Sequence, residues 1–277
     1  RYRGGPAKSA VVSSCLFGMI SGAAVANVVG TGTFTIPLMK RGGYKGHFAG
    51  AVEAVASCGG QFMPPIMGAA AFMIATNCDV PYGTVAISAI IPALLYYFYL
   101  FICLDMEAQK NGLIGLPAEE LPSVLGALKK RGHMLIPLIV LIFTLVSGYS
   151  PGKSVFWSLV LLIVTASVSK TTRMGWKQIV HAIKNGVYSA AAVAIACACA
   201  GIISGVISLT GLGLRFSSIL IKLSGGNLLV LLVLTMLAAI IMGMGLPTSA
   251  AYVILAVLTS PAMIELGVQP LAAHFFI

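Results

Sequence analysis

Long apolar runs, separated by short polar or basic breaks, fill the chain from end to end. The first, Ser9 to Met39, is flanked by Arg1, Arg3 and Lys8 before it and by Lys40, Arg41 and Lys45 after it. Positive flanks stay in the cytoplasm, so both ends of this run belong there. Two full crossings need about 40 apolar residues, more than the run supplies. Its middle also carries the small, polar Ser21-Gly22-Ala23-Ala24 and Asn27. The pattern predicts a re-entrant helical hairpin. Irregular backbone at membrane depth survives only where it lines a protein-bounded cavity, so such a turn is a candidate site.

His47 to Thr76 reads as one apolar helix interrupted by Gly59-Gly60-Gln61-Phe62-Met63-Pro64-Pro65. Proline removes amide donors and paired glycines let the chain leave helical geometry, so this span is predicted to break at mid-depth. Asn77-Cys78-Asp79 forms an outer loop, Val85 to Leu104 returns inward, and Asp105 to His133 reads as a polar loop ending in Lys129-Lys130-Arg131. Leu135 to Ser147 and Val155 to Ser169 make an apolar pair around the turn signal Ser147-Gly148-Tyr149-Ser150-Pro151-Gly152. The stretch from Lys170 to Lys184, with Arg173 and Lys177 and no acid, reads as a cytoplasmic loop.

Gly186 to Ser208 then crosses outward, and Leu212 to Leu223, with Arg215 and Lys222 in an apolar pattern, is predicted to lie along the outer interface. Leu228 to Met242, the break Gly243-Met244-Gly245-Leu246-Pro247-Thr248-Ser249 and an apolar stretch ending near Glu265 predict a second re-entrant hairpin. An odd number of crossings between the hairpins inverts the second relative to the first. Three regions result: 1–80 with the first hairpin and broken helix, 81–185 with connecting spans and loops, and 186–277 with the second hairpin.

Composition fixes the class. With 58% hydrophobic and 9% charged residues among 277, and a mean hydropathy of +1.00, this is an all-α polytopic membrane protein. The net charge of +10 is scattered between apolar runs, which argues for topology and against a nucleic-acid partner. Cys15, Cys58, Cys78, Cys103, Cys197 and Cys199 lie mostly inside apolar runs, have no metal or disulfide spacing, and read as buried packing residues. The chain starts without Met and stops inside an apolar run at Phe275-Phe276-Ile277, so both ends read as cut.

The halves share weak similarity. Gly18-Met19 matches Gly243-Met244, Ala26 matches Ala251 and Val28 matches Val253; after a one-residue slip, Thr35-x-Pro37-x-Met39 matches Thr259-x-Pro261-x-Met263 and Gly43 matches Gly267. A rival alignment sets Gly18 to Gly22 on Gly201 to Gly205 and Pro64 on Pro247. The first is preferred because it pairs two turn-like segments. An intramembrane protease would need a Gly-x-Ser-Gly turn and a partnered histidine, whereas Met19-Ile20 precede Ser21. A channel is a better rival, but two inverted hairpins in one chain favour alternating access.

Four segments carry a family resemblance: Gly18-Met19-Ile20-Ser21-Gly22-Ala23-Ala24-Val25-Ala26-Asn27, Phe34 to Tyr44, Gly59 to Pro65, and Gly243 to Tyr252. In this order they closely resemble the large membrane subunit of tripartite ATP-independent periplasmic (TRAP) transporters, nearest the fused-permease branch that works with TAXI-type binding proteins. The resemblance implies a secondary transporter of the bacterial inner membrane. It would import an organic anion, commonly a carboxylate, with sodium, fed by a periplasmic binding protein and working beside a small membrane subunit or its fused equivalent. It also implies an elevator motion of a hairpin-bearing domain. A sodium-coupled carrier without a binding protein is the alternative. Ala23-Ala24 stand where many relatives carry hydroxyls, and Leu246 where the wider family often has an acid before proline, which leaves backbone carbonyls as the expected ligands. The amino-terminal helices and a second broken helix of that family are missing.

Sodium prefers oxygen ligands, and unwound glycine-rich backbone supplies them without burying a carboxylate. The sodium ligands expected on this basis are Ser21, Asn27, Gly60, Gln61 and Pro64 around the first hairpin and Gly245 and Thr248 around the second. A carboxylate should sit at the amino termini of the second half-helices, near Ser21, Gly22, Ala23, Pro247, Thr248 and Ser249, with Ser21 and Thr248 as helix caps. The two tips are expected to meet around one substrate. Glu53 reads as a structural or cavity-lining carboxylate, His47 and His274 as loop-end packing, and Tyr96, Tyr97 and Tyr99 as an interfacial belt.

Overall fold

A computed structural model describes residues 3–113, 115, 132–168 and 172–277. These are helical throughout, with turns between, and divide into two compact units: residues 1–71 with 81–173, and 72–80 with 174–277. Among the described residues, three helices are long and apolar enough to cross a membrane: Tyr82–Lys110, Pro151–Val168 and Thr248–Glu265. Large apolar side chains such as Val25, Phe34, Ile87, Phe98 and Leu209 stand exposed, as lipid-facing residues do, because hydrocarbon solvates them as well as a protein core would.

In the first unit, α1 (Gly5–Ser21) and α2 (Ala24–Arg41) are joined by Gly22 and Ala23 alone. Gly22 takes φ +62°, a left-handed turn that favours glycine, and its N–H closes onto the Gly18 carbonyl at 2.8 Å. The helices run antiparallel along their whole length. Asn27 meets Gly18 near the turn, Thr31 meets Ser14 in the middle, and Gly42 meets Pro6 at the open end. The predicted hairpin is therefore a real supersecondary unit. Its two helices of 17 and 18 residues each rise about 26 Å.

The next helix, α3 (Gly46–Gly59), ends at the predicted break, and the chain resumes as α4 (Ala69–Asn77). The span α5 (Tyr82–Lys110) follows, then α6 (Ile136–Val146) and α7 (Pro151–Val168). The first polar loop begins later than the sequence pattern predicts: Asp105 to Lys110 continue α5, where Asp105 pairs with Lys8 of α1 at 2.5 Å. The Lys129-Lys130-Arg131 cluster lies outside the described residues, as do Ser169, Lys170 and Thr171.

In the second unit, α8 (Trp176–Leu209) takes in most of the all-basic stretch, with Lys177 and Lys184 on the helix rather than in a loop. Gln178 reaches back to the Gly175 N–H at 2.9 Å, half of a capping box, and so moves the start ten residues ahead of the apolar run. At Thr210 and Gly211 the chain bends by 76° into α9 (Leu212–Leu223). Next, α10 (Leu228–Gly243) opens on Asn227, whose Oδ1 accepts from the Leu229 N–H at 2.9 Å. The unit closes with α11 (Thr248–Glu265) and the short α12 (Pro270–Phe276). Leu231 packs with Ala262 and Met263, and Met242 packs in the cluster of Ala250 and Ile254, so α10 and α11 form the second predicted hairpin.

The preferred internal alignment has a backbone counterpart. α2 and α11 are both 18 residues long, and Ala24 corresponds to Thr248 as Arg41 does to Glu265, a constant shift of 224 residues. Each helix carries an interior proline, Pro37 and Pro261. Each ends on a left-handed glycine, Gly43 at φ +91° and Gly267 at φ +92°. The next N–H reaches back alike, Tyr44 to Met39 at 3.1 Å and Val268 to Met263 at 3.0 Å. The helix ends correct the other matches: α1 ends at Ser21 and α10 at Gly243, with turns of two and four residues after them, so Gly18-Met19 are not equivalent to Gly243-Met244, and Ala26 and Val28 are equivalent to Ala250 and Tyr252. The rival pairing fails locally, because Gly201 and Gly205 lie inside α8 while Gly22 is a turn.

Candidate ion and substrate site

The break after α3 is built by backbone approaching backbone. A methyl group on Gly60 would lie 2.5 Å from the Gly18 Cα, and one on Gly22 would lie 2.7 Å from the Met67 carbonyl oxygen. Only hydrogen fits at these crossings, so the turn of the first hairpin is seated on residues 60–68. Within the break, the Gly68 N–H closes onto the Gln61 carbonyl at 2.6 Å.

The last four carbonyls of a helix have no partner within it, a set that includes Ala56 but not Val55, and α5 supplies donors to both. The Tyr97 hydroxyl donates to the Ala56 carbonyl at 2.9 Å and the Tyr96 hydroxyl to that of Val55 at 2.7 Å. Further on, the Tyr82 hydroxyl donates to the Ile66 carbonyl. Tyr96 and Tyr97 thus brace the break rather than form an interfacial belt, while Tyr99 is exposed as the belt reading requires. Tyrosine is the side chain that brings both apolar bulk and a donor to such a place.

Of the first group of expected site residues, Ser21 and Ala23 are exposed on the turn, Gln61 and Pro64 are half-buried in the break, and Gly60 is buried. The glycine crossing brings them together. Asn27 is wholly buried, and its amide nitrogen donates to the Ser14 carbonyl at 2.7 Å, while the Thr31 hydroxyl lies 2.9 Å from its backbone oxygen and 3.1 Å from its Oδ1. In the second unit Gly245, Pro247 and Thr248 are exposed and Ser249 is buried. The expected caps are corrected. Ser21 ends α1, and Thr248 is the first residue of α11. The N-cap positions belong to Ala23 and Pro247, and neither helix start has a side-chain cap.

Sequence reasoning underrated Glu53. It is fully buried, held between α1, α2 and α3 by the hydroxyls of Ser14 at 2.5 Å, Thr35 at 2.5 Å and Thr31, with Ser57 at 3.5 Å. The signal was present: Asn27, Thr31 and Thr35 recur every fourth residue on one face of α2, as Glu53 and Ser57 do on α3. His274 is likewise no mere loop-end filler. The Tyr252 hydroxyl sits 2.9 Å from its Nδ1 and 3.2 Å from the Asn77 amide, and Ser260 lies 3.2 Å from its Nε2. The cysteines are corrected as well: all six are free and none is buried, with Cys58 and Cys199 exposed.

Apolar helices long enough to cross a bilayer, with glycine-built breaks and turns between shorter ones, define a multi-pass helical membrane protein. The chain belongs to the family described as the tripartite ATP-independent periplasmic transporter, DctM component, which matches residues 1–277. That family is one of multi-pass transporter permeases of the inner membrane rather than of enzymes. It is 28% identical over 154 residues to the C4-dicarboxylate TRAP transporter large permease protein DctM of Vibrio cholerae, covering 55% of this chain and 34% of that one. To the sialic acid TRAP transporter large permease protein SiaM of the same organism it is 24% identical over 268 residues, 96% of this chain and 61% of that one. An uncharacterized protein of Sinorhizobium fredii, y4mL, is 28% identical over 171 residues, 59% of this chain and 40% of that one. The chain thus spans between about a third and three fifths of the length of these relatives.

Proposed function

We propose that the protein to which this chain belongs imports an organic anion, of the carboxylate class, together with sodium, after delivery by a periplasmic binding protein of TAXI type. A small membrane subunit, or its fused equivalent, completes the assembly, and the hairpin-bearing part moves as an elevator. Two of the matched relatives are a C4-dicarboxylate and a sialic acid permease, which supports the substrate class.

The observation that carries the reading is the close backbone seating of the Gly22 turn on the 60–68 break at Gly18, Gly22 and Gly60. It leaves unwound backbone from two elements side by side, a donor set suited to sodium. Carbonyls around Gly60, Gln61 and Pro64, with Ser21 and Asn27 nearby, are the proposed ligands of the first unit, and Gly245 and Thr248 those of the second. For the anion, the uncapped starts of α2 and α11 offer N–H groups and a positive dipole end. Ser21, Gly22 and Ala23 flank the one, and Pro247, Thr248 and Ser249 the other.

The test is uptake of radiolabelled dicarboxylates and sialic acid into liposomes by the full-length protein with its binding protein, under imposed sodium or proton gradients. Uptake that requires the binding protein and follows an inward sodium gradient is expected. Uptake that ignores sodium overturns the coupling, and uptake without the binding protein overturns the delivery step.

A further inference from the structure

Glu53 poses a problem that the reading above does not use. A buried carboxylate needs a cation or full hydrogen bonding, and among the described residues no Lys, Arg or His lies within 4.0 Å of it. Its neighbours are hydroxyls, and each hydroxyl has one proton to give.

Those protons have two possible destinations. The Thr35 hydroxyl lies 2.5 Å from Glu53 Oε2 and 3.0 Å from the Thr31 carbonyl one turn earlier. Thr31 likewise reaches Glu53 Oε1 or the Asn27 carbonyl, the latter at 2.9 Å. Ser14 reaches Oε1 at 2.5 Å, or Thr31 at 3.0 Å. With Glu53 ionised, all three hydroxyls donate to it. With Glu53 neutral, its own proton lies on Oε2 and is donated to Thr35, whose proton turns to the Thr31 carbonyl, and Thr31 turns to Asn27. Both charge states are satisfied by rotating hydroxyls, and no heavy atom has to move.

We infer that Glu53, framed by Ser14, Thr31 and Thr35, is a proton-binding site whose two charge states the packed first hairpin and α3 accommodate alike. The frame comes from two helices, Ser14 from α1 and Thr31 and Thr35 from α2, and Gly32 of α2, where a methyl would lie 3.3 Å from Glu53 Cγ, lets the helices close over it. Other titratable groups on these elements are engaged elsewhere or stand apart. Lys8 pairs with Asp105, Cys15 of α1 adjoins Tyr97, and Tyr96 and Tyr97 donate to carbonyls of α3. Lys40 and Arg41 end α2, His47 opens α3, Cys58 is exposed near its end, and Glu107 and Lys110 lie in the last turn of α5. This site borders the proposed sodium site through Asn27, which Thr31 contacts, and the spectra below read Glu53 without sodium.

Infrared difference spectra of the full-length protein in lipid, recorded between acid and alkaline pH, test it without any transport. A protonated-carboxyl band that titrates and is lost in Glu53→Gln is expected. Thr35→Val, which removes a hydroxyl partner of the carboxyl, should move the frequency of that band, and Thr35→Ser should restore it. A band unchanged in Glu53→Gln, or no titrating buried carboxyl across the pH range in which the protein stays folded, overturns the proposal. Should Glu53→Gln fail to fold, the Thr35 pair decides: a protonated-carboxyl band unmoved in Thr35→Val is equally fatal.

Discussion

The segments 24–49 and 248–273 share one backbone and bury opposite chemistries. Both run as an 18-residue helix with an interior proline, a left-handed glycine and a new helix start, Ala49 or Ala273 closing onto Lys45 or Gln269 at 2.9 and 3.0 Å. In the first, Thr35 faces an ionisable carboxyl. At the matching place in the second, Thr259 donates only to its own helix, to Leu255 at 2.8 Å, and the buried polar chain is Tyr252, His274 and Ser260. The frame is therefore separable from the function it carries. A helix end that needs φ above zero is met alike in both halves, while the polar core is free to differ.

Substitutions at the turns should separate the halves most. Gly60→Val drives a side chain into the Gly18 backbone; it should cost about 3 kcal/mol or more and remove uptake. Gly243→Val, at a glycine with open space around it, should change stability by less than about 0.5 kcal/mol. Thermal unfolding in detergent checks both, and equal losses would break the comparison. Because Gly60 is so tightly packed, its loss reports the seating of the turn before it reports ion ligation.

Next in size is the bracing of the break. Tyr97→Phe strands the Ala56 carbonyl and should lower stability by about 1–3 kcal/mol. Tyr252→Phe should fall in the lower half of that range, since His274 keeps Ser260.

A gentler probe addresses the anion. Ala23→Asp places a capping carboxylate at the uncapped start of α2. It should raise the substrate concentration for half-maximal uptake about tenfold or more by occupying the N–H groups and repelling charge, whereas Thr248→Val should raise it less than about threefold because Thr248 is not the cap. The reverse order would return the role to the hydroxyl. The smallest effect belongs to Asp105→Asn: the Lys8–Asp105 pair is partly solvated, and thermal unfolding should not register its loss.

Much of this architecture was legible because apolar run length and glycine–proline breaks speak directly about membrane helices. Both hairpins, the break after Gly59 and the bend near Gly211 fell close to where the pattern put them. What escaped was set by partners distant in sequence. Tyr96 and Tyr97 look like belt residues until the carbonyls of Val55 and Ala56 are seen beneath them. Ser14, Thr31 and Thr35 are unremarkable small polar residues until Glu53 is placed between them. Caps misled for a local reason: Ser21 and Thr248 each stand within two residues of a cap position, and a turn of two residues in one hairpin and four in the other shifts which residue occupies it.

The claim on which the account rests is that the Gly22 turn and the 60–68 break bind sodium as one unit through their backbone. Hydrogen–deuterium exchange of the full-length protein in lipid, with sodium against an equal concentration of choline, reads that backbone directly. Sodium should slow exchange at residues 21–27 and 60–68 together and leave the Gly225–Gly226 turn unchanged. Protection absent from both segments, or confined to one of them, would contradict it.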